Sequence, residues 1–213
     1  AGCECAWQLA KRKIKVELFE MKPKKYTPAH KSPLFAELVC SNSLRSDSLS
    51  NAIGLLKEEM RLLGSLIMES ADKSKVEAGS ALAVDRNAFS SYITEKIRNN
   101  EYITVHEEEI TSIPENGITV CATGPLTSES LSSKLTEFFG TEGLSFFDAS
   151  APIVDASSLN FDKIYAMSRY GKGEASYLNC PFTKEEYEIF YNELINAKEA
   201  ALHDFDEKEQ KLT

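Results

Sequence analysis

The chain has 213 residues, of which 42% are hydrophobic and 27% charged, which is typical of a globular protein with one large or two small domains. Its formal net charge of −9 argues against broad nonspecific binding to nucleic acid, although a local basic groove remains compatible with it. No apolar run approaches the length of a membrane span, and the five cysteines lack metal-type spacing, so we expect no membrane association, no metal site and reduced thiols in a cytoplasmic protein.

The beginning of the chain has the pattern of a helix followed by a strand. Residues 2–12 favour a helix, and residues 14–20 alternate strictly, which predicts a strand. In a dinucleotide-binding βαβ unit, a glycine loop and a helix N-terminus bind pyrophosphate, and an acid about 20 residues later bonds a ribose hydroxyl. Gly2 then corresponds to the last loop glycine and Glu20 to the ribose acid, with an exposed strand-end glutamate as the alternative. The preceding strand and the first two glycines are expected to lie before Ala1.

A basic, proline-containing loop follows over residues 21–33. Such a loop beside a nucleotide site could meet phosphates, but a solvated surface is the commoner interpretation. His30 has no partner visible in the sequence, and we interpret it as a surface histidine.

Residues 35–44 contain the candidate nucleophile. An apolar run ends in Cys40, and the small polar residues after it suit a turn rather than a helix interior. A thiol at such a break can face a cleft, where its thiolate could act as a nucleophile. The alternative is a buried cysteine that packs as a small hydrophobe.

The middle of the chain predicts a further series of short elements. Residues 52–66 predict an amphipathic helix with its apolar face toward the core, and residues 71–79 a polar loop. A short strand over 81–84 precedes a helix over 86–98 that Asp85 caps. Further short strands are predicted over 102–106, 109–113 and 118–122. The last of them runs into Ala122, Thr123 and Gly124, a small-residue turn of the kind that lets backbone approach a dinucleotide.

The remaining residues predict a second α/β unit of about 80 residues. A helix over 128–139 is followed by extended pieces over 144–148, 151–155, 164–170 and 174–178. Thr183 and Glu186 form a capping box for a last helix, which is expected to bury its aromatic and aliphatic side chains.

Nine segments, in order along the chain, resemble one family: residues 6–12, 18–23, 27–30, 35–44, 54–60, 81–86, 122–128, 151–154 and 173–181. On these segments the chain is similar to the folate- and FAD-dependent tRNA uracil-5-methyltransferases, the TrmFO family. The resemblance covers the N-terminal half or so of a typical member.

The resemblance implies an α/β fold, with a glutathione-reductase-type, Rossmann-like FAD-binding domain over residues 1–127, whose first strand is missing, and an inserted small α/β domain over 128–213. It implies methylation of C5 of a uridine in the T-loop of tRNA, with 5,10-methylenetetrahydrofolate as the one-carbon source and FAD reduced by NAD(P)H. Cys40 matches the nucleophile. The positions implied to bind cofactor are Gly2, Glu20, Met21, Ser41, Asn42, Ser43, Ala122, Thr123 and Gly124.

The sequence departs from the family pattern at several positions. Lys13 stands where members usually have glycine at the end of the first helix, and lysine is strained in a left-handed cap. Cys3, Cys5 and Cys121 replace other small or apolar residues, and we interpret them as structural. Cys180 fits a family motif but lies in the inserted domain. A second functional cysteine and the rest of the FAD and folate sites are expected beyond Thr213.

Three alternatives remain open at this point. A paralogue that methylates a ribosomal RNA uridine would carry the same FAD motifs. A non-catalytic flavoprotein subunit of an RNA-modification complex is a second possibility, against which the intact Cys40 motif argues. An FAD-dependent oxidoreductase of small molecules is the third. The oligomeric state is open.

Overall fold

The computed structural model describes residues 1–124, 126–140, 155–168, 175 and 177–198. The chain divides into two compact units, Ala1–Glu77 with Ala81–Ser150 (the first unit) and Ala78–Ser80 with Ala151–Thr213 (the second unit). The domain boundary expected between residues 127 and 128 stays a prediction. The extended piece predicted over 144–148, and residues 151–154 of the piece predicted over 151–155, lie outside the described residues.

The first unit has an α/β arrangement with a parallel strand pair, which confirms the α/β part of the predicted fold class. The helices are α1 (Gly2–Lys11), α2 (Ala52–Leu62), α3 (Leu66–Lys73), α4 (Arg86–Arg98) and α5 (Glu129–Phe139), and the strands are β1 (Val16–Glu20), β2 (Ser43–Ser46), β3 (Lys75–Val76), β4 (Ala81–Val84) and β5 (Ile103–Glu107). Strands β1 and β5 pair in parallel, with Val16 opposite Ile103 and Glu20 opposite Glu107. A second, antiparallel sheet has the order β2-β4-β3.

The core of the first unit forms where α3, α4 and β4 meet. Its largest fully buried side chains include Phe35, Leu66, Leu82, Phe89 and Ile93. Local signals explain the α4 contribution, since the Asp85 side chain accepts a hydrogen bond from the Ala88 amide at 2.8 Å and so caps the helix as predicted. Phe35 comes from the predicted nucleophile segment, so that segment is anchored in the core.

The orientation predicted for α2 was wrong except at Met60, which packs against the core. Its buried positions are Gly54 and Lys57, whereas Leu55 and Leu56 are 50% and 57% exposed. Polar contacts explain this orientation. The Lys57 ammonium donates to the Ser46 carbonyl at 2.8 Å, and the Arg61 guanidinium pairs with the carboxylates of Asp47 and Asp72. The helix therefore packs through its charged face and presents its leucines outward.

Two further predictions over the middle of the chain were wrong. Residues 71–79 contain the end of α3 and strand β3 instead of only a loop. Residues 109–113 and 118–122 do not form strands. A strand requires a neighbour for its backbone hydrogen bonds, and residues 118–122 pair with none among the described residues, where Ile118 is fully exposed.

The second unit contains β6 (Tyr165–Met167), β7 (Tyr177–Asn179) and α6 (Lys184–Ile195), after one turn of 3-10 helix at Ala156–Ser158. The strands pair antiparallel. The capping box of Thr183 and Glu186 is confirmed. The expected burial of the α6 apolar face was wrong, because none of its residues is buried. No helix in the described parts of either unit is long and apolar enough to cross a membrane.

Candidate functional site

The N-terminus of α1 lies beside the small-residue turn that the sequence assigned to the nucleotide site. A Cβ added to Gly2 would lie 3.6 Å from the Cβ of Ala122. Helix α1 begins at Gly2, and the first backbone amides of a helix have no acceptor within it. Backbone amides at a helix start favour an anion. The structure thus brings together two segments, distant in sequence, that were both predicted to bind the dinucleotide.

Glu20 and Met21 lie at the carboxyl end of β1. The Glu20 carboxylate accepts a hydrogen bond from the Lys22 amide at 3.1 Å, and the Met21 carbonyl accepts one from the Lys25 amide at 2.9 Å. Both bonds close a turn directly after the strand. Ligands of parallel α/β sheets bind outside the carboxyl ends of the strands, so the position of Glu20 suits the predicted ribose contact.

Thr123 and Gly124 form a local turn with their neighbours. Gly124 has a φ of 68°, a value that glycine adopts without strain and other residues do not. The space around Gly124 is open. The Thr127 hydroxyl donates to the Gly124 carbonyl at 2.7 Å and lies 2.6 Å from the Thr123 hydroxyl. This turn leaves Gly124 exposed and able to approach a ligand closely.

Helix α4 holds the segment that leads to Cys40. The Phe35 amide donates to the Thr94 hydroxyl at 2.9 Å, and the Ser90 hydroxyl donates to the Ala36 carbonyl at 3.2 Å. Thr94 and Ser90 are buried side chains on one face of α4. These bonds fix the backbone only a few residues before the thiol.

Cys40 itself is exposed, so the alternative of an inert core thiol was wrong. The Arg86 guanidinium donates to the Cys40 carbonyl at 3.2 Å. Two hydrogen bonds of 3.0 Å join Asn42 to Val84. The Val84 backbone amide donates to the Asn42 backbone carbonyl, and the Asn42 side-chain amide donates to the Val84 backbone carbonyl. The thiol therefore projects from a backbone that is fixed on both sides.

Ser41 and Ser43 flank Asn42 and are exposed. The Ser41 hydroxyl accepts from the Ser43 amide at 3.0 Å, a local turn bond of the kind that short hydroxyl side chains favour. The turn predicted after Cys40 is thus confirmed, and the chain continues from it into β2.

Sequence reasoning missed the buried pair of Lys22 and Glu37. Lys22 is 4% exposed, and its ammonium donates to the Leu34 carbonyl at 2.6 Å and lies 3.5 Å from the Glu37 carboxylate. The other Glu37 oxygen accepts from the Lys31 and Ser32 amides at 2.9 and 3.1 Å. The solvated-surface interpretation was wrong for Lys22. The available signal was a charged residue, Glu37, inside an apolar run.

The rest of the basic loop is less cationic than its sequence suggests. The Lys25 ammonium lies 2.7 Å from a Glu109 oxygen. His30 is half-buried rather than a surface histidine, with its Nδ1 at 2.7 Å from the Thr27 hydroxyl. Burial, and then the charge of Lys22, hold the pKa of His30 below its ordinary value. His30 is therefore neutral at pH 7.

Cys3 illustrates the opposite environment from Cys40. Burial raises the pKa of the Cys3 thiol to about 11, and the nearby charge of Glu20 acts in the same direction. A thiol in this state is protonated and unreactive at neutral pH, as its structural interpretation requires. Within the described residues, no cluster of three or more histidine, cysteine, aspartate or glutamate side chains could hold a metal ion.

Comparison with known proteins gives a match along the whole chain. The family model of glucose inhibited division protein A matches residues 1–213. A relative from Lactobacillus johnsonii is 61% identical over 208 residues, which are 98% of this chain and 48% of the relative. Relatives from Acetivibrio thermocellus (61% over 206 residues, 97% of this chain and 47% of the relative) and Listeria innocua (57% over 208 residues, 98% and 48%) are similar. Each is named methylenetetrahydrofolate–tRNA-(uracil-5-)-methyltransferase TrmFO. The chain spans about half the length of these curated relatives.

Proposed function

Because this chain belongs to the glucose inhibited division protein A family, we propose that it is the flavin-binding portion of a tRNA (uracil-5-)-methyltransferase that takes its one-carbon unit from 5,10-methylenetetrahydrofolate. The observation that carries the proposal is the exposed Cys40, fixed by α4 in the same compact unit as the Gly2–Ala122 contact. The names of relatives at about 60% identity support it.

The described residues fit an FAD. The backbone amides at the α1 N-terminus suit pyrophosphate, the half-buried Glu20 suits a ribose hydroxyl, and Gly124, with its positive φ and open surroundings, suits close backbone approach. Met21, Ala122 and Thr123 flank these positions, and Ser41, Asn42 and Ser43 would contact the flavin beside Cys40. When bound and reduced by NAD(P)H, the flavin supplies the two electrons that convert the transferred one-carbon unit to a methyl group.

Cys40 supplies the activation of the uridine. C5 of uracil is a poor nucleophile, and addition of the Cys40 thiolate to C6 makes C5 an enolate-like carbon. C5 can then bond the one-carbon unit, whose two C–N bonds to its carrier would break with each electron pair left on nitrogen; the new C5–C bond replaces the first, and a C–H bond made with the two electrons of the reductant replaces the second. Loss of the C5 proton and cleavage of the S–C6 bond restore the aromatic base and the thiolate. Arg86 and Asn42 orient the thiol by fixing the backbone at residues 40–42.

The domain assignment belongs to the same proposal. We assign a glutathione-reductase-type FAD domain to residues 1–127 and an inserted α/β domain to 128–213, with the first strand of the nucleotide fold supplied by chain before Ala1. Since tRNA is the substrate in the names of the relatives, we place the reaction in the cytoplasm.

The test is Cys40→Ala in a full-length chimera, in which this chain replaces the matching half of the Lactobacillus johnsonii relative. We expect flavin to stay bound, because the pyrophosphate and ribose contacts are elsewhere, and methyl transfer to uridine in tRNA to fall by about 10³-fold or more. Cys121→Ala is the matched control and is expected to keep both properties. Retained transfer in Cys40→Ala would remove Cys40 from the mechanism, and transfer to ribosomal RNA alone would reassign the substrate.

A further inference from the structure

Two opposite charges are buried together between the end of β1 and the segment that carries Cys40. The side chains of Lys22 and Glu37 are 4% and 16% exposed, and their charged atoms are 3.5 Å apart. One Glu37 oxygen, Oε2, is fully buried and has no hydrogen-bond partner, so the Lys22 ammonium is its compensating group. Removing two ions from water costs free energy, which their attraction offsets only when their geometry is good and hydrogen bonds satisfy their remaining polar atoms. The Lys22–Glu37 pair therefore depends on a specific arrangement of the two segments that carry it.

The positions of the two residues define what the pair connects. Lys22 follows Glu20 by two residues, and its amide binds the Glu20 carboxylate. Glu37 precedes Cys40 by three residues and also holds the amides of Lys31 and Ser32. The pair therefore joins the end of β1, where the ribose contact is proposed, to the backbone just before the thiol.

We propose that Lys22 and Glu37 are positioning residues that set the location of Cys40 relative to the carboxyl end of β1. The inference rests on the proposed function, since it gives the pair a role in the same site. Neither side chain needs to touch substrate. Helix α4 fixes one side of the Cys40 segment through Phe35 and Ala36, and the ion pair fixes that segment to the strand that bears Glu20.

A more exposed pair, between Lys25 of the same loop and Glu109 beyond β5, provides the comparison. The Lys25 and Glu109 side chains are 48% and 20% exposed and lie 2.7 Å apart. Exposed pairs are screened by water and contribute little. If buried charges position the Cys40 segment, loss of the Lys22–Glu37 pair should disturb that segment and loss of the Lys25–Glu109 pair should not, although the Lys25–Glu109 distance is shorter.

The first experiment measures amide hydrogen exchange in this 213-residue chain. Glu37→Gln keeps an acceptor for the Lys31 and Ser32 amides but leaves Lys22 buried without a counter-charge. We expect exchange in residues 31–40 to accelerate by about tenfold or more, while exchange in the core of α4 stays within about twofold. Lys25→Met and Glu109→Gln are the matched controls, with parent-like exchange expected in both regions.

Lys22→Arg retains the positive charge, so we expect residues 31–40 to keep most of their protection from exchange. This variant keeps the proposal testable even if a harsher variant such as Lys22→Met fails to fold. Unchanged exchange in residues 31–40 of Glu37→Gln would overturn the proposal. So would an equal acceleration in 31–40 and in α4, since that reports only a loss of global stability.

The second experiment uses the full-length chimera and separates this inference from the proposed function. In Glu37→Gln we expect kcat for methyl transfer to fall by about tenfold or more, with FAD affinity and KM for tRNA within about twofold, because a misplaced thiol affects the chemical step. A loss confined to KM or to FAD affinity would contradict positioning of Cys40. If Cys40→Ala retained transfer, the proposed function would fail, whereas the exchange result would still report the coupling of the two segments.

Discussion

Lys13 occupies a backbone conformation that L-residues other than glycine adopt at a cost. Its φ is 60°, directly after α1. The Lys13 amide binds the Ala10 carbonyl at 2.8 Å and the Ile14 amide binds the Leu9 carbonyl at 3.1 Å, the double bond pattern of a Schellman cap. The sequence predicts a strained, left-handed lysine at the end of α1, and the positive φ of Lys13 confirms that prediction.

We therefore expect Lys13→Gly to raise the free energy of unfolding by about 1 kcal/mol, because the left-handed conformation costs a side-chain-bearing residue about 1–2 kcal/mol and glycine loses part of that gain as chain entropy. Urea unfolding measures the change. Arg12→Gly, at a φ of −94°, is the control and should not stabilise. An unchanged or lowered stability of Lys13→Gly would contradict the cap assignment.

His30 makes stability depend on pH. Its folded-state pKa lies below the ordinary value of 6.5, because burial and then Lys22 disfavour the imidazolium. The unfolded chain therefore binds the proton first as the pH falls. The contribution of neutral His30 is complete above about pH 6.5 and is lost below it, down to the folded-state pKa.

We expect His30→Gln to flatten this part of the pH dependence. Free energies of unfolding measured by urea at about pH 7.5 and about pH 5.5 should differ less in the variant than in the parent chain. An identical difference in the two proteins would show that His30 does not titrate in this way.

Helix α2 is organised by a close backbone approach as well as by its charged face. Gly54 lies against the Ser46–Asn51 loop, and a Cβ at this position would lie 1.9 Å from the Ser48 carbonyl oxygen. The Asn51 side chain caps the helix by accepting from the Gly54 amide at 2.9 Å. The packing of α2 thus depends on the absence of a side chain at residue 54.

Gly54→Ala should therefore destabilise the chain by about 1–3 kcal/mol, the usual cost of overpacking, although alanine in a helix interior ordinarily stabilises by about 1 kcal/mol relative to glycine. The sign of the change, measured by thermal or urea unfolding, decides between packing and propensity. Glu59→Ala, at an exposed position of the same helix, is the control and should be nearly neutral. Stabilisation by Gly54→Ala would refute the close approach.

The inverted orientation of α2 gives a second prediction. Arg61 is paired with Asp47 and Asp72, each at 2.8 Å, whereas Leu62 is 81% exposed. We expect Arg61→Met to lower the free energy of unfolding by about 1–2 kcal/mol and Leu62→Gln to leave it within about 0.5 kcal/mol. The opposite ranking would mean that the apolar face of α2 is the packed one.

At the scale of the whole molecule, the elements with strong local signals were predictable and the contacts between them were not. The alternation of β1 and the Asp85 cap of α4 each depend on residues that are close together in the sequence, and both predictions are confirmed. The periodicity of α2 predicted a helix but could not say which face would be buried, because that choice depends on Asp47 and Asp72, outside the helix.

The candidate site divides in the same way. Gly2, Glu20, Cys40 and Gly124 were predicted from motifs, because each motif is a short run of neighbouring residues. The pair of Lys22 and Glu37 was missed, since a lysine in a basic loop is ordinarily solvated and its burial follows from how residues 22–37 fold back on themselves. Short patterns thus predict candidate site residues, whereas the buried contacts around those residues depend on tertiary structure.

The most direct measurement of the central claim, a reactive Cys40 beside a bound flavin, is the rate of Cys40 alkylation by iodoacetamide in the full-length chimera. Peptide mass spectrometry would follow Cys40 without ligand, with FAD and with ADP, which shares the pyrophosphate and ribose contacts but lacks the flavin ring. The account predicts that FAD slows Cys40 alkylation by about tenfold or more and that ADP does not. Equal alkylation rates with FAD bound and without it would contradict the account.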